Sequence, residues 1–189
     1  MKTYQVRKFE QKDIDYRVEW FNSPEIYSKM PIEIPVSHAT TMQWFSKILL
    51  DDSRADFVLE IVYKKISKEI VAMAGIVDIN LKHRRCEIYI LVSPNRTGKG
   101  IGSIFMRWLC NYSFHHCGME KLFLYTLESN KGARKFYERL GFVEEGVLRK
   151  HQIHNGTRAN RYVQGLLRSD WERLSWCSTG PVSFIIYDS

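Results

Sequence analysis

The sequence predicts a mixed α/β domain, and three observations carry that reading. The chain has 189 residues, 44% of them hydrophobic, which suits one domain with a sizeable core. Its apolar period switches several times between helical spacing and strict alternation. Two polar turns, Lys64–Glu69 and Asn155-Gly156, separate runs that read as hairpins.

Tyr4 to Arg7 alternates and reads as a first strand. Asp13 to Phe21 places Ile14, Val18 and Phe21 at helical spacing, and Asn22-Ser23-Pro24 breaks that helix. Glu25 to Met30 reads as a short second helix, and Pro31 and Pro35 mark an irregular loop. Thr40 to Leu50 is helical, with Met42, Phe45, Ile48 and Leu49 as the expected buried stripe. From Asp56 the period changes. Strands are expected over Phe57–Tyr63, Ile70–Ile79 and Cys86–Val92. Alternation in the last sets Glu87, Tyr89 and Leu91 on one face and Cys86, Ile88, Ile90 and Val92 on the other.

A turn-rich loop, Ser93 to Gly102, leads into a helix with apolar residues at Ile101, Ile104, Phe105, Trp108, Leu109 and Tyr112, closed by Cys117-Gly118. Leu122–Leu127 is then a strand, Asn130–Leu140 a helix ended by Gly141, and Val143–Ile153 and Arg161–Leu167 the two strands of a last hairpin. Residues 1–174 read as a single domain. The tail, 175–189, carries the apolar run Val182 to Tyr187, expected to dock as an added strand on its own domain or across the contact of a homodimer.

Charge narrows the function. Lys and Arg number 28 against 21 Asp and Glu, a net +7 that favours an anionic partner: nucleic acid, a membrane surface or a phosphorylated small molecule. The longest apolar run, Ile70 to Val77, falls far short of the roughly 20 residues of a membrane helix, so no membrane partner is expected. The opening MKTYQVRKFEQKD has no apolar core and does not read as a secretory signal. Cys86, Cys110, Cys117 and Cys177 lack C-x-x-C spacing and read as reduced, buried thiols of a cytoplasmic protein. His115-His116-Cys117 is not expected to bind metal, because adjacent helical residues point apart.

The loop Gly98-Lys99-Gly100-Ile101-Gly102 carries the chemistry. Three close glycines let backbone N–H groups face one concave site, and the helix that follows adds free amides and a positive dipole end. Such a site suits a phosphate or pyrophosphate, with Arg96 and Lys99 raising the local field; the competing reading is a flexible connection with glycines at its turns. Neither G-x-x-x-x-G-K-[ST] nor G-x-G-x-x-G fits.

Residues Ile88 to Phe142, with P-N-R-T-G-K-G-I-G, an amphipathic helix, a strand and S-N-K-G-A-R-K-F-Y-E-R-L-G-F, resemble the GCN5-related N-acetyltransferase (GNAT) superfamily. The stretch E-E-G-V-L-R-K-H-Q-I-H-N-G-T-R-A-N resembles its branch of ribosomal-protein N-terminal, spermidine and amino-sugar acetyltransferases. The resemblance spans roughly Tyr4 to Trp171. It implies an α+β fold with a mostly antiparallel mixed sheet flanked by helices, and an acetyl-CoA-dependent N-acetyltransferase without a metal. The family's [QR]-x-x-G-x-[GA] loop falls on Thr97 to Gly102, departing at Thr97, with the arginine one place earlier as Arg96. Gly98, Lys99, Gly100, Ile101 and Gly102 would then cradle the pyrophosphate, and Leu91 and Val92 would pair with the pantetheine arm.

Asn130, Ala133 and Tyr137 match N-x-x-A-x-x-x-Y, implying that Asn130 bonds the cofactor and Tyr137 protonates the departing thiolate. A phenol with an ordinary pKa near 10 keeps its proton at neutral pH. By its residues alone, Tyr137 reads as part of a core stripe with Ala133, Phe136 and Leu140. Glu87 matches a family carboxylate that takes the proton of the acceptor ammonium; an ion pair with Arg84 or Arg85 is the other reading, and Glu60 and Asp78 are lesser candidates for the base. The implied reaction is direct attack of a primary amine on the thioester, with a strand N–H near Leu91 or Val92 stabilising the oxyanion.

The acceptor is a small-molecule amine or a protein N-terminus, the former favoured. A polyamine needs converging carboxylates, which Glu19, Glu25 and Glu33 could supply, but a basic protein attracts polycations poorly and an amino sugar on a nucleotide fits the charge better. The alternative from another class is a basic nucleic-acid-binding module, resting on Arg107-Trp108 and Lys135-Phe136-Tyr137. No nucleic-acid motif accompanies them, and these aromatics lie on expected core stripes.

Overall fold

The structure is a computed structural model that describes residues 3–63, 67–177 and 183–187. Lys64 to Ile66 of the expected polar turn and Val182 of the tail lie outside the described residues.

The elements follow the chain as β1 (Thr3–Lys8), α1 (Ile14–Phe21), α2 (Pro24–Tyr27), α3 (His38–Ile48), β2 (Ala55–Tyr63), β3 (Ser67–Asn80), β4 (Arg85–Val92), α4 (Ile101–Asn111), β5 (Lys121–Leu127), α5 (Lys131–Arg139), β6 (Val143–His154), β7 (Thr157–Leu167), α6 (Arg168–Trp171) and β8 (Ile185–Tyr187). Eight strands form one sheet in the order β6-β7-β5-β4-β3-β2-β1-β8. Every neighbouring pair is antiparallel except β4 and β5.

The sheet buries both faces. On one, Phe105 and Leu109 of α4, Tyr137 of α5 with its C-cap Leu140, and Trp171 of α6 pack on Leu59, Ile88 and Leu122. On the other, Ile14, Trp20 and Phe21 of α1 and Phe45 of α3 pack on Val58, Met73 and Leu91. Alternation along β4 therefore serves two cores, Ile88 in one and Leu91 in the other.

The α3 stripe is narrower than the spacing suggests. Phe45 is buried, but Leu49 is 65% exposed. The helix ends at Ile48, and Leu49 sits at its C-cap, beyond the face that meets the sheet. α4 also stops early, at Asn111, and a single π-helical turn, Tyr112–His116, carries the chain to Gly118 at φ +66°.

At one sheet edge, Ile185–Tyr187 pairs with Thr3–Gln5. The segment is fixed from both sides: Val6 N–H donates to the Phe184 carbonyl at 2.8 Å, and Trp108 Nε1–H donates to the Ser183 carbonyl at 2.7 Å. Phe184 packs on the Trp108 ring at 5.6 Å between centroids.

One irregularity positions the site. β4 pairs with β5 only over Arg85–Glu87 against Lys121–Phe123, and beyond that rung the two strands diverge. α4 begins shortly after β4, and α5 shortly after β5, so both helix N-termini stand at the mouth of the wedge.

Candidate active site

A cleft of about 660 Å3 fills the wedge. Leu91, Val92, Arg96, Thr97, Gly98, Gly100, Gly102, Asn130, Ala133 and Tyr137 all line it. Glu87, Lys99 and Ile101 do not.

The backbone of β4 presents hydrogen-bonding groups to this opening. Ser93 N–H donates to Val71 O on β3, so strand alternation turns the N–H groups of Ile90 and Val92 to the side that β5 has vacated. An extended amide-bearing chain can pair there as a missing strand would.

The loop after β4 supplies the anion cradle. Gly98 and Gly100 hold φ of +77° and +79°, a region that costs other residues about 1–2 kcal/mol. Gly100 is the N-cap of α4 and offers no side chain, leaving the first-turn amides of α4 without an intrahelical acceptor. A Cβ at Gly98 or Gly100 would meet nothing within 4 Å, so the cradle opens outward. At Gly102, by contrast, it would meet the Phe136 ring at 3.3 Å, which is why α4 and α5 can lie close together. These features fit a pyrophosphate bound by backbone amides.

The expected cations contribute less than their positions suggest. Arg96 is bound through Nε to Glu69 Oε1 at 2.8 Å and through Nη2 to Glu69 Oε2, and the Tyr63 hydroxyl donates to the same carboxylate at 2.9 Å. Its charge is spent on β3, and it ties the start of the loop to the sheet. Lys99 donates to the Asn95 carbonyl at 3.0 Å, so its ammonium folds back along the loop outside the cleft. Ile101 sends its side chain into the core, leaving only its amide to the site. Thr97, where the family pattern has Gln or Arg, points its hydroxyl at the Ser93 carbonyl at 3.4 Å.

Asn130 caps α5 by accepting from Ala133 N–H at 3.1 Å, and its amide nitrogen donates to the Lys29 carbonyl at 3.4 Å. From the opposite side, the His154 ring meets the Ser28 carbonyl at 3.1 Å. The strip Ser28–Lys29 thus forms a partition between the cleft and a second cavity of about 370 Å3, lined by Glu33, Gln152, Asn155 and Arg161 among others.

Tyr137 is 8% exposed and packs beside Phe136 and Phe142 at 5.1 and 5.9 Å. Burial alone pushes its phenol well above the ordinary tyrosine value. Core membership and cleft lining are thus both true of Tyr137: its ring is packed, and it borders the cavity.

Glu87 lies on the last paired rung of the wedge, opposite Phe123. Burial raises its carboxyl pKa, and Arg161 opposes that rise. The ion pairs weighed for Glu87 form elsewhere: Arg84 binds Glu120 at 3.2 Å and Arg85 binds Asp78 at 2.9 Å. Glu60 is held by Arg7 at 2.8 Å, away from the cleft. Leu91 lies four residue steps beyond Glu87 along β4, about 13 Å away.

Several cleft residues were not singled out by the sequence. Ser103 and Lys131 line it from the first turns of α4 and α5, where N-terminal position was a usable signal. Met30 approaches it from the chain just beyond α2, and nothing local marked it; Glu25, one of the carboxylates considered for a polyamine, lines it from α2. Glu19 is exposed on α1, apart from Glu25 and Glu33.

The aromatic residues that suggested nucleic-acid binding are occupied. Trp108 is 6% exposed, and with Tyr137 it belongs to the core, so neither offers a free stacking face. Among the described residues, no helix is long and apolar enough to cross a membrane, and no group of His, Cys, Asp or Glu gathers to hold a metal ion.

Comparison with known proteins agrees with this geometry. Residues 16–142 match the sequence profile of the acetyltransferase (GNAT) family. A spermidine N(1)-acetyltransferase of Vibrio cholerae serotype O1 is 28% identical over 151 residues, covering 80% of this chain and 85% of that protein. The Escherichia coli K12 spermidine N(1)-acetyltransferase is 28% identical over 155 residues, 82% and 81% of the two chains. A crystal structure of the Vibrio cholerae spermidine N-acetyltransferase in complex with CoA and spermine shares the fold at TM-score 0.81 and 26% identity, covering 88% of this chain and 96% of that one. With the splayed strands, the glycine cradle and the matched profile together, the chain belongs to the acetyltransferase (GNAT) family and is an acetyl-CoA-dependent N-acetyltransferase.

Proposed function

We propose that the chain acetylates the primary amine of a small molecule, with Tyr137 as proton donor to the departing thiolate and Glu87 as base. The observation that carries this reading is the buried Tyr137 at the wall of a cleft whose other end is an uncapped helix N-terminus. Acetyl-CoA supplies an activated thioester. The amides of the Gly98–Gly102 loop bind its pyrophosphate, and those of Ile90 and Val92 bind its pantetheine arm. Glu87, through water, takes one proton of the acceptor ammonium; the second proton that the nitrogen loses returns to Tyr137 after Tyr137 has given its own to sulfur. The C–N bond gained replaces the C–S bond lost, and one proton is released.

Spermidine is the acceptor named for the Vibrio cholerae and Escherichia coli relatives, which supports a small amine over a protein N-terminus. Four unpaired cysteines suit a reducing, cytoplasmic setting. The reading is tested by thiol release from acetyl-CoA with and without added amines. Amine-dependent release that falls away in Tyr137→Phe while acetyl-CoA still binds supports it; acetyl-CoA binding with no release by any amine refutes it.

A further inference from the structure

The cavity behind the Ser28–Lys29 partition holds two donors without acceptors. Gln152 Nε2 is buried with no hydrogen-bond partner. Arg161 makes no ion pair among the described residues and rests over the Tyr125 ring at 4.3 Å. Several half-buried arginines are bound to carboxylates: Arg7 to Asp13, Arg54 to Asp56, Arg96 to Glu69 and Arg168 to Glu120. Arg17, over Phe21 and Trp44, and Arg134, over Tyr162, are stacked on rings as Arg161 is and likewise make no ion pair among the described residues. What distinguishes Arg161 is its place on the lining of a cavity of about 370 Å3, which Gln152 also lines.

Sheet register shows why they converge. Arg161 lies opposite Leu127 on β5, and Ala159, two residues earlier on the same face, lies opposite Gln152 on β6. The irregularity in β6 between Leu148 and Gln152, with Lys150 at φ +50°, adjusts the register there. Along β5 the same face carries Tyr125 and Phe123, and Phe123 pairs with Glu87 on β4. By leaning over Tyr125, Arg161 reaches from its own rung back toward Glu87. A cationic fork and an amide donor therefore stand at one end of a short track, and a carboxylate at the other.

We propose that the acceptor is a primary amine that also bears a carboxylate or phosphate: its anionic group is held by Arg161 and Gln152, and its ammonium is directed toward Glu87. This rests on the acetyl-transfer reading above and narrows its substrate class. Both donors need an acceptor, and an anion with two oxygens meets the planar guanidinium fork in a bidentate manner. Glu33 on the same lining can hold an ammonium, but a polycation brings no group for Arg161 and Gln152 and would set a further ammonium against Arg161.

The test is thiol release from acetyl-CoA with three sets of acceptors: the twenty protein amino acids for the carboxylate, glucosamine 6-phosphate and phosphoethanolamine for the phosphate, and spermidine with neither. The expected result is that one anion-bearing set exceeds spermidine in kcat/KM by about tenfold or more, and the better set identifies the anion. Arg161→Ala should erase that preference by raising KM for the anion-bearing acceptor while KM for acetyl-CoA stays unchanged, and Arg161→Lys should restore part of it. A fold defect would lower activity toward all acceptors alike, so the ratio between sets is the readout. Preference for spermidine, or a ratio unchanged in Arg161→Ala, overturns the inference while leaving acetyl transfer intact. Turnover of no amine despite acetyl-CoA binding overturns both.

Discussion

Replacing Tyr137 by Phe removes one oxygen atom and keeps the ring between Phe136 and Phe142. No hydrogen bond accompanies burial among the causes of the raised phenol pKa, so deletion strands no partner and stability should change by about 1 kcal/mol or less. Catalysis should lose far more. A positioned general acid contributes about 10²- to 10⁴-fold, equivalent to roughly 3–5 kcal/mol of barrier. Because burial disfavours the phenolate, the parent hydroxyl keeps its proton past the ordinary tyrosine value of 10.0, and loss of this proton does not limit kcat below that pH. The assay is steady-state thiol release across pH with an accepted amine, alongside calorimetric titration with acetyl-CoA. The expected variant binds acetyl-CoA within about threefold of the parent, melts at a similar temperature and loses kcat. Turnover within a fewfold of the parent, or a loss of affinity that accounts for the whole rate effect, would refute the assignment.

The loop gives a binding prediction: Gly100→Ala places a Cβ at φ +79° and should cost about 1–2 kcal/mol of strain, read as weaker acetyl-CoA binding, a lower melting temperature or both. Alkaline stability follows from burial. Cys86 is pushed up to about 12 from 9.0 and Tyr112 to about 12 from 10.0. With folded values above unfolded ones, their contribution is present below pH 9 and is lost as pH rises from 9 toward 12. Melting temperature should fall across that window, and less steeply in Tyr112→Phe. Ending the chain after Cys177 removes β8, the acceptor of the Trp108 indole N–H and the cover of β1; melting temperature should drop and aggregation at the bared edge should rise in light scattering.

Local patterns in the sequence carried much of the site. Glycine spacing marked the cradle, and helical spacing marked α4 and α5; Asn130, expected as a cofactor ligand, also proves to be the N-cap of α5. What stayed hidden depends on contacts between distant residues. Arg96 looked like a phosphate ligand because its neighbours are loop residues, whereas its partner, Glu69, is 27 positions away on β3. Leu49 fitted a stripe by spacing, but no spacing shows where a helix meets its C-cap. Arg161 lies just past the stretch that resembles the family branch and Gln152 within it, but neither was marked there; only the register of β5, β6 and β7 sets them on one face.

The partition at Ser28–Lys29 has a kinetic consequence. It separates two chambers by one strip of chain that bonds to Asn130 on the cleft side and to His154 on the other. The two linings share no residue, so with the acceptor in the second cavity, as proposed above, nucleotide and amine need not queue through a common doorway. The expected kinetics are those of a ternary complex with random addition, seen as double-reciprocal plots that intersect rather than run parallel. The strip is also tied into the turn after α2, where Ser28 N–H donates to the Pro24 carbonyl and Lys29 N–H to the Ile26 carbonyl, so the divider belongs to the packed N-terminal helical segment.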